Sequence, residues 1–386
     1  MRHQRPGLAF AGIFAVTFSG LLGVGAVLPV LPRYVHGPLH EGNVAVGLVV
    51  GSYAITGLLL RPVSGRLADT RGRKPMVLFG AIVLAVSGLL YVPNLGIAGL
   101  VLARLLLGVG EGAVYTAGSA WIVDLAPVAR RGRVLGLYGL AVWGGLSVGP
   151  LAGEAIYNAA GFHAVWLFAA AMPLLGAALA ARVPDPFEPL PHAEPHPLIA
   201  PEAVRPGIAV AMASVGYAAV ATFIVLHLEA RGVGHGATVF AAFAAMIVIA
   251  RLLAGDLPDR LGGAPVAIAA TLGEAVGLLL IALAHSLPVA LLGGMAMGAA
   301  FSLLNPSLML LAVSQVSESA RGAVMGTFTA FFDAGVGLGA PLAGLAAALT
   351  DYEGSFLLAT AIVASSALVI LTALHRPARA AAPSAR

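Results

Sequence analysis

Two acidic residues, Glu111 and Asp333, lie inside long apolar stretches of the sequence. Ionisable side chains are costly in apolar surroundings, and where they occur they commonly bind ions, protons or ligands. Arg104, Glu111 and Tyr115 are spaced so that they share one face of a helix. Burial favours a neutral carboxyl group, whereas a nearby arginine favours the carboxylate. We therefore predict that Glu111 binds a proton or a cation, and that Arg104 either binds a ligand or hydrogen-bonds to neighbouring helix backbone.

Asp333 lies close in sequence to Phe328 and Phe332. A carboxylate beside aromatic rings could hold an organic cation, because the faces of the rings attract positive charge. The alternative is that Asp333 pairs with a cationic side chain elsewhere in the chain. Glu111 and Asp333 lie at similar depths in the two halves of the chain, which predicts a binding site between those halves.

The composition excludes a soluble protein. Hydrophobic residues make up 59% of the 386 residues, charged residues 10%, and the mean hydropathy is +0.95. Soluble domains carry about 25% charged residues, so an integral membrane protein is predicted. The net charge of +4 is not gathered on one polar domain, which argues against nucleic-acid binding. The absence of cysteine excludes disulfides, thiolate metal ligands and thiol nucleophiles.

Twelve apolar stretches are long enough to cross a bilayer as helices. They lie near 8–32, 44–64, 76–93, 97–122, 134–157, 163–182, 207–228, 238–255, 265–285, 288–312, 323–348 and 354–374. The first is too long for the apolar core of a signal peptide, so we expect it to be retained. A proline-rich polar segment separates the sixth stretch from the seventh.

The two halves repeat one pattern at an offset of 190 residues. The repeated pairs are Arg61 and Arg251, Gly65 and Gly255, Leu67 and Leu257, Asp69 and Asp259, Gly72 and Gly262, and Pro75 and Pro265. A fixed offset near half the chain length predicts two copies of one structural unit. The predicted units are an N-terminal six-helix bundle over 1–182, a cytoplasmic linker over 183–206, and a C-terminal six-helix bundle with a short cytoplasmic tail over 207–386.

Positive charges fall almost entirely on one side of this topology, with Arg33 and Arg231 as the exceptions. The positive-inside rule then predicts that both termini are cytoplasmic. Arginine greatly outnumbers lysine, and alanine and glycine dominate, which indicates a GC-rich bacterial genome. The predicted location is therefore the bacterial inner membrane, which the chain crosses several times.

The segment Gly65-Arg-Leu-Ala-Asp69-Thr-Arg-Gly72-Arg73-Lys74 resembles the G-x-L-a-D-r-x-G-R-[KR] signature of the major facilitator superfamily. The resemblance extends over the whole chain through the span count, the repeat and the linker. It implies a cytoplasmic latch, formed by Gly65, Asp69, Gly72 and Arg73 with Asp124, that holds the outward-open state. The alternative is a positively charged loop that only sets the topology.

Two further segments carry the same resemblance. Leu100 to Ala113 resembles the fourth-span motif around an intramembrane arginine, here Arg104. The segment Gly145-Leu-Ser-Val-Gly149-Pro150-Leu-Ala-Gly153 resembles the fifth-span motif of antiporter families, with Glu154 in place of its final glycine. The alternative is general helix packing through small residues. Gly145–Gly149 also has the G-x-S-x-G pattern of hydrolases, but it lacks the strand–turn–helix context that this chemistry needs.

The resemblance implies an all-α integral membrane fold of twelve transmembrane helices in two pseudo-symmetric six-helix bundles. The cavity between them is expected to be lined by spans 1, 4, 7 and 10, with contributions from 2, 5, 8 and 11. The predicted function is secondary active transport by alternating access, in which small cationic or amphipathic molecules leave in exchange for protons. The alternatives are a facilitator or symporter for a sugar, lipid or other metabolite, and a membrane sensor.

The predicted site residues follow from these motifs and from polar or aromatic groups at mid-membrane depth. Proton coupling is assigned to Glu111 and Asp333, and substrate binding to Arg104, Tyr115, Phe301, Asn305, Phe328 and Phe332. No catalytic arrangement and no histidine spacing typical of a metal site is found, so neither an enzyme nor a cofactor is predicted. The expected partners are a small-molecule substrate, protons and membrane lipids, and the expected state is a monomer.

Overall fold

The computed structural model describes residues 6–125, 131–183, 200–314, 316 and 321–374, and these residues form helices joined by short turns. The helices are α1 (Pro6–Val27), α2 (Leu31–His36), α3 (Asn43–Gly51), α4 (Tyr53–Arg71), α5 (Arg73–Leu89), α6 (Gly96–Leu125), α7 (Arg131–Ala180), α8 (Pro201–Ala230), α9 (Gly236–Ala254), α10 (Leu257–Leu261), α11 (Gly263–Ala282), α12 (Leu287–Val313), α13 (Arg321–Leu349) and α14 (Tyr352–Leu374). Most of the predicted linker (184–199) and the predicted tail after 374 lie outside the described residues. α8 begins at Pro201, within the range predicted for the linker.

Ten helical runs of the described residues are long and apolar enough to cross a membrane. One of them, Gly136–Ala180, has 45 residues. At 1.5 Å per residue this run would extend about 68 Å, roughly twice the thickness of the hydrocarbon core. Gly161 divides it, because its φ of 74° is a backbone conformation that glycine adopts readily. Counting the divided run as two spans, and adding the 17-residue α5, which is not among the ten, gives a number consistent with the twelve predicted spans.

Proline breaks the first span into two helices. Residues 28–30 form a turn between α1 and α2, and Pro32 occupies the first turn of α2, where a missing backbone N–H costs nothing. This break places Arg33 and His36 at the end of the first span, next to the start of α3. The break therefore brings polar side chains to one end of an otherwise apolar bundle.

Contacts within each half are dense, and two helix pairs make most of the contacts between the halves. α1 packs on α7 and α5 on α6 in the first half, while α8 packs on α13 and α11 on α12 in the second. α3 packs on α13, and α7 packs on α9, across the two halves. Gly51 allows the first of these approaches, because a methyl group there would lie 3.0 Å from the carbonyl oxygen of Gly337. The halves are thus in direct backbone contact along part of their length.

Replacing Gly149 with Ala should loosen the packing of α7 on α1. A methyl group at this position would lie 2.7 Å from the Cα of Gly25 and 2.7 Å from the carbonyl oxygen of Leu22. Forcing an added methyl group into a packed interface typically costs about 1–3 kcal/mol. We expect a lower melting temperature for the purified protein in detergent. Gly136→Ala on the same helix is the control, since nothing lies within 4 Å of its added methyl group; equal melting temperatures would contradict the close packing.

Candidate functional site

A cavity of about 440 Å³ lies between the two halves. It is lined by Leu21, Tyr53, Arg61, Glu111, Tyr115, Gly136, Tyr138, Gly139, Val142, Trp143, Leu146, Tyr217, Arg251, Phe301, Asn305, Pro306, Met309, Phe328, Thr329 and Phe332. These residues belong to the first, second, fourth, fifth, seventh, eighth, tenth and eleventh predicted spans, which are the spans expected to line it. Among the predicted site residues, Arg104 and Asp333 are not part of this lining.

Five aromatic side chains pack together beside the cavity, and we call Trp143, Tyr217, Phe243, Phe301 and Phe332 the aromatic roof. All of them except Phe243 line the cavity. The Trp143 ring lies edge-on to Tyr217 and Phe301, with centroid distances of 6.2 and 5.9 Å. Tyr217 in turn lies 6.4 Å from Phe332. Trp143 comes from the first half and the other four from the second, so the roof depends on the two halves being close together.

Arg33 connects the halves beyond the roof, at what we call the outer end, following the orientation predicted from the positive charges. Its Nη1 and Nη2 donate hydrogen bonds to Glu154 at 2.5 and 3.0 Å, and its Nε donates to Glu229 at 2.7 Å. Arg33 and Glu154 belong to the first half and Glu229 to the second. We call these three residues the outer closure. Glu154 is the residue that replaces the final glycine of the fifth-span motif, and its contact with Arg33 gives that replacement a structural role.

Two further contacts hold the outer end together. The Asn43 side-chain amide donates a hydrogen bond to the carbonyl oxygen of Ala347 at 3.0 Å. The Tyr352 hydroxyl lies 3.3 Å from His36 Nε2. Each contact joins a residue of the first half to a residue of the second, so in this structure the cavity is closed toward the outer end.

Asp333 pairs with Arg61. Arg61 Nε lies 2.7 Å from Asp333 Oδ2, and Arg61 Nη2 donates a hydrogen bond to Oδ1 at 3.1 Å. The side chains are 17% and 4% exposed, so the pair is largely shielded from solvent. The Arg61 guanidinium also lies 5.5 Å from the centre of the Tyr115 ring. Arg61 was not among the predicted site residues, although its position in the repeat and the apolar residues around it in the sequence were signals for it.

Arg104 is 1% exposed and packs among the helices of the first half. Its Nη2 donates a hydrogen bond to the carbonyl oxygen of Val50 at 2.8 Å, and its guanidinium lies 4.8 Å from the centre of the Tyr53 ring. Arg104 lines a small void of about 30 Å³, and Glu111 lines both this void and the main cavity. Arg104 thus makes the backbone contact that was the alternative to ligand binding, while Glu111 faces the cavity.

The residues assigned to the latch meet at the junction of α4, α5 and α6. Arg73 donates hydrogen bonds to Asp69 and, from Nε at 3.1 Å, to Asp124. Gly72 joins α4 to α5 with a φ of 111°, a conformation that favours glycine. Gly65 lies beside Thr116 of α6. All of these contacts lie within the first half, and their role as a latch stays a prediction.

The glycines of the fifth-span motif face α1. Added methyl groups at Gly145, Gly149 and Gly153 would each collide with the backbone of α1. Between them, Ser147 donates a hydrogen bond to the carbonyl oxygen of Ala241 on α9 at 3.1 Å. The segment with Pro150 inside α7 therefore contacts both the first span and the eighth.

Comparison with known proteins places this architecture among transporters. The chain matches the family model described as Major Facilitator Superfamily over residues 13–265 and 207–386. It is 32% identical over 369 residues to an uncharacterized MFS-type transporter of Salmonella typhimurium, covering 93% of this chain and 94% of that one. It is 34% identical over 388 residues to an uncharacterized MFS-type transporter of Pseudomonas aeruginosa, covering 98% and 96%. The crystal structure of the nucleoside transporter NupG shares the fold, with a TM-score of 0.76, 14% identity and coverage of 96% of this chain and 100% of that one.

Proposed function

Because the chain belongs to the Major Facilitator Superfamily, a family of non-enzymatic membrane transporters, we propose that it exports small amphipathic molecules in exchange for protons. The observation that carries this proposal is Glu111, a carboxyl group that faces the cavity between the halves from an apolar helix. A carboxyl group at this place can be reached both by protons and by the substrate. If binding of a proton changes the affinity for the substrate, the movements of proton and substrate across the membrane become coupled. We further propose that the protein acts as a monomer in the bacterial inner membrane.

The proposed cycle begins with the state described above, which is closed at the outer end. With both termini cytoplasmic, the cavity faces the cytoplasm, and loss of the proton from Glu111 favours loading of the substrate. The halves then rock about the site, and protonation of Glu111 or Asp333 from outside favours release. The Arg61–Asp333 pair joins the halves and has to adjust in that movement, and the latch of Asp69, Arg73 and Asp124 biases which end is open.

A facilitator or symporter for a sugar, lipid or other metabolite is the second candidate. The fifth-span segment favours exchange over it, since this segment resembles the motif of antiporter families and contacts both α1 and α9. A sensor without transport is a third candidate, and it predicts no substrate-dependent proton movement at all.

Proton movement in inside-out membrane vesicles tests the proposal. An acid-loaded lumen is monitored with a pH-sensitive dye while lipophilic cations, amphipathic anions, sugars and lysolipids are added to the medium. We expect one chemical class to dissipate the gradient in vesicles with the native protein, and not in vesicles with Glu111→Gln. A native protein that transports a compound of the panel without moving protons would contradict coupling and favour the facilitator.

A further inference from the structure

Arg251 lines the cavity without a carboxylate partner among the residues that the structure describes. It is the repeat counterpart of Arg61, and Arg61 is neutralised by Asp333. Arg251 Nη2 instead donates a hydrogen bond to the carbonyl oxygen of Ser302 at 3.2 Å. Its Nη1 lies 3.8 Å from the place of a methyl group at Gly139, so it reaches from the second half toward α7 of the first. Of the two related arginines, Arg251 keeps its positive charge available.

The internal repeat explains why the partner is missing. The offset of 190 residues that relates Arg61 to Arg251 also relates Trp143 to Asp333. Arg61 on α4 meets Asp333 on α13, and the corresponding pair of helices, α9 and α7, also pack together. Trp143 thus occupies the position from which a carboxylate would neutralise Arg251. One difference between the two repeats accounts both for an available guanidinium and for an aromatic ring in the lining of the same cavity.

The charges around the cavity favour an anion. Glu111 is the one acidic residue among the described residues that line it, and Asp333 is already bound by Arg61. Glu111 also lines the small void that Arg104 lines, so an arginine other than Arg251 lies close to its carboxyl group. Among the described residues, Arg251 therefore supplies the positive charge of the cavity lining that has no carboxylate bound to it. A shielded guanidinium without a counter-charge is costly, and a carboxylate that binds it through two parallel hydrogen bonds removes that cost.

We propose that the substrate is an amphipathic organic anion, whose carboxylate binds Arg251 and whose apolar part packs against the aromatic roof. This inference rests on the proposed transport function and names its substrate class. The cavity volume of about 440 Å³ falls within the range typical of sites for drug-sized molecules. Trp143 of the roof and Arg251 line the same cavity, so the carboxylate and the apolar part of one molecule can be bound there at the same time.

Binding of three compounds with one ring system tests this assignment. The probes are 2-naphthoate, its neutral amide and the cationic 2-naphthylmethylamine, each titrated calorimetrically into the purified full chain in lipid nanodiscs. We expect the carboxylate to bind at least about tenfold more tightly than the amide, since hydrogen bonds to an ionised acceptor are stronger than hydrogen bonds to a neutral one. Arg251→Gln should remove this preference while affinity for the amide stays within about twofold, and Arg251→Lys should retain part of it. Tightest binding of the amine, or an unchanged carboxylate preference in Arg251→Gln, would overturn the assignment.

A second pair of variants leaves Arg251 in place. Trp143→Asp would supply the carboxylate that Asp333 supplies to Arg61, and we expect it to abolish the preference for 2-naphthoate. In Trp143→Asn the new side chain has nearly the same shape as aspartate but no charge, so this variant should retain the preference for 2-naphthoate. Equal carboxylate-to-amide ratios in these two variants would contradict the proposal even if an Arg251 variant failed to fold.

The outcome separates this inference from the proposed function. Binding in nanodiscs needs no proton gradient, so a carboxylate preference that depends on Arg251, without proton movement in vesicles, refutes only the coupling. Proton movement driven by lipophilic cations and unaffected by Arg251→Gln refutes only the anion assignment.

Discussion

Replacing Glu111 with Gln should abolish proton-driven substrate accumulation and leave exchange of substrate down its own gradient intact. Glutamine has nearly the same shape as glutamate but cannot gain or lose a proton, so the cavity would keep its lining and lose its titratable group. A coupled transporter without its proton site relaxes to equal concentrations on both sides of the membrane. We therefore expect the accumulation ratio in proteoliposomes to fall to one under an imposed pH gradient. Counterflow of labelled substrate without a pH gradient should continue at a comparable rate.

Glu274→Gln is the matched control for this experiment. Glu274 is also a glutamate inside the membrane, 0% exposed, but it lies in α11 and does not line the cavity. Removing its charge tests whether any buried carboxyl group would produce the effect. Gradient-driven accumulation should persist in this variant. Accumulation that survives Glu111→Gln, or that is lost equally in both variants, would refute the coupling role of Glu111.

Breaking the Arg61–Asp333 pair from either side should destabilise the protein far more than removing both partners. Asp333→Asn leaves the guanidinium of Arg61 shielded from solvent without its counter-charge. Arg61→Gln likewise leaves the carboxylate of Asp333 shielded from solvent without its counter-charge. The loss of one partner of a buried ion pair typically costs about 3–5 kcal/mol, whereas replacing both can be nearly neutral. We expect each single variant to melt well below the native protein in detergent. The double variant Arg61→Gln/Asp333→Asn should recover a large part of the loss.

An exposed pair in the same chain provides the comparison. Arg260 and Asp256 are 72% and 52% exposed and form an ion pair at 2.6 Å. Such surface pairs contribute about 0–1 kcal/mol, so Asp256→Asn should barely change the melting temperature. Additive effects of Arg61→Gln and Asp333→Asn would show that the two side chains do not depend on each other.

The sequence predicted the fold because the fold depends on local and periodic features. Apolar length determines the spans, and the offset of 190 residues determines the two related halves. Along one helix, spacing also determines which residues share a face. Glu111 and Tyr115 on α6 were assigned to the site in this way, whereas Phe301 and Asn305 on α12 were assigned from their depth in the membrane. All four line the cavity. Their roles in coupling and binding stay predictions.

The partners of the charged residues could not be predicted in the same way. Arg61 meets Asp333, and Arg33 meets Glu229, across the boundary between the halves. Which side chains meet there depends on how each helix is rotated and tilted against a helix far away in the sequence. Arg61 was recognised only as the repeat counterpart of Arg251, yet its Nε lies 2.7 Å from Asp333 in a largely shielded position. The repeat alone does not reveal this, since the corresponding position opposite Arg251 is Trp143.

The position of Trp143 also provides the protein with an intrinsic optical reporter. The chain has three tryptophans, and Trp121 and Trp166 are each 1% exposed within the packed bundles. Trp143 alone of the three lines the cavity. A molecule that enters beneath the aromatic roof changes the surroundings of this indole and leaves the other two fluorophores as a constant background. Emission quenching that disappears in Trp143→Phe would therefore locate an unlabelled ligand within the cavity and follow its arrival in real time.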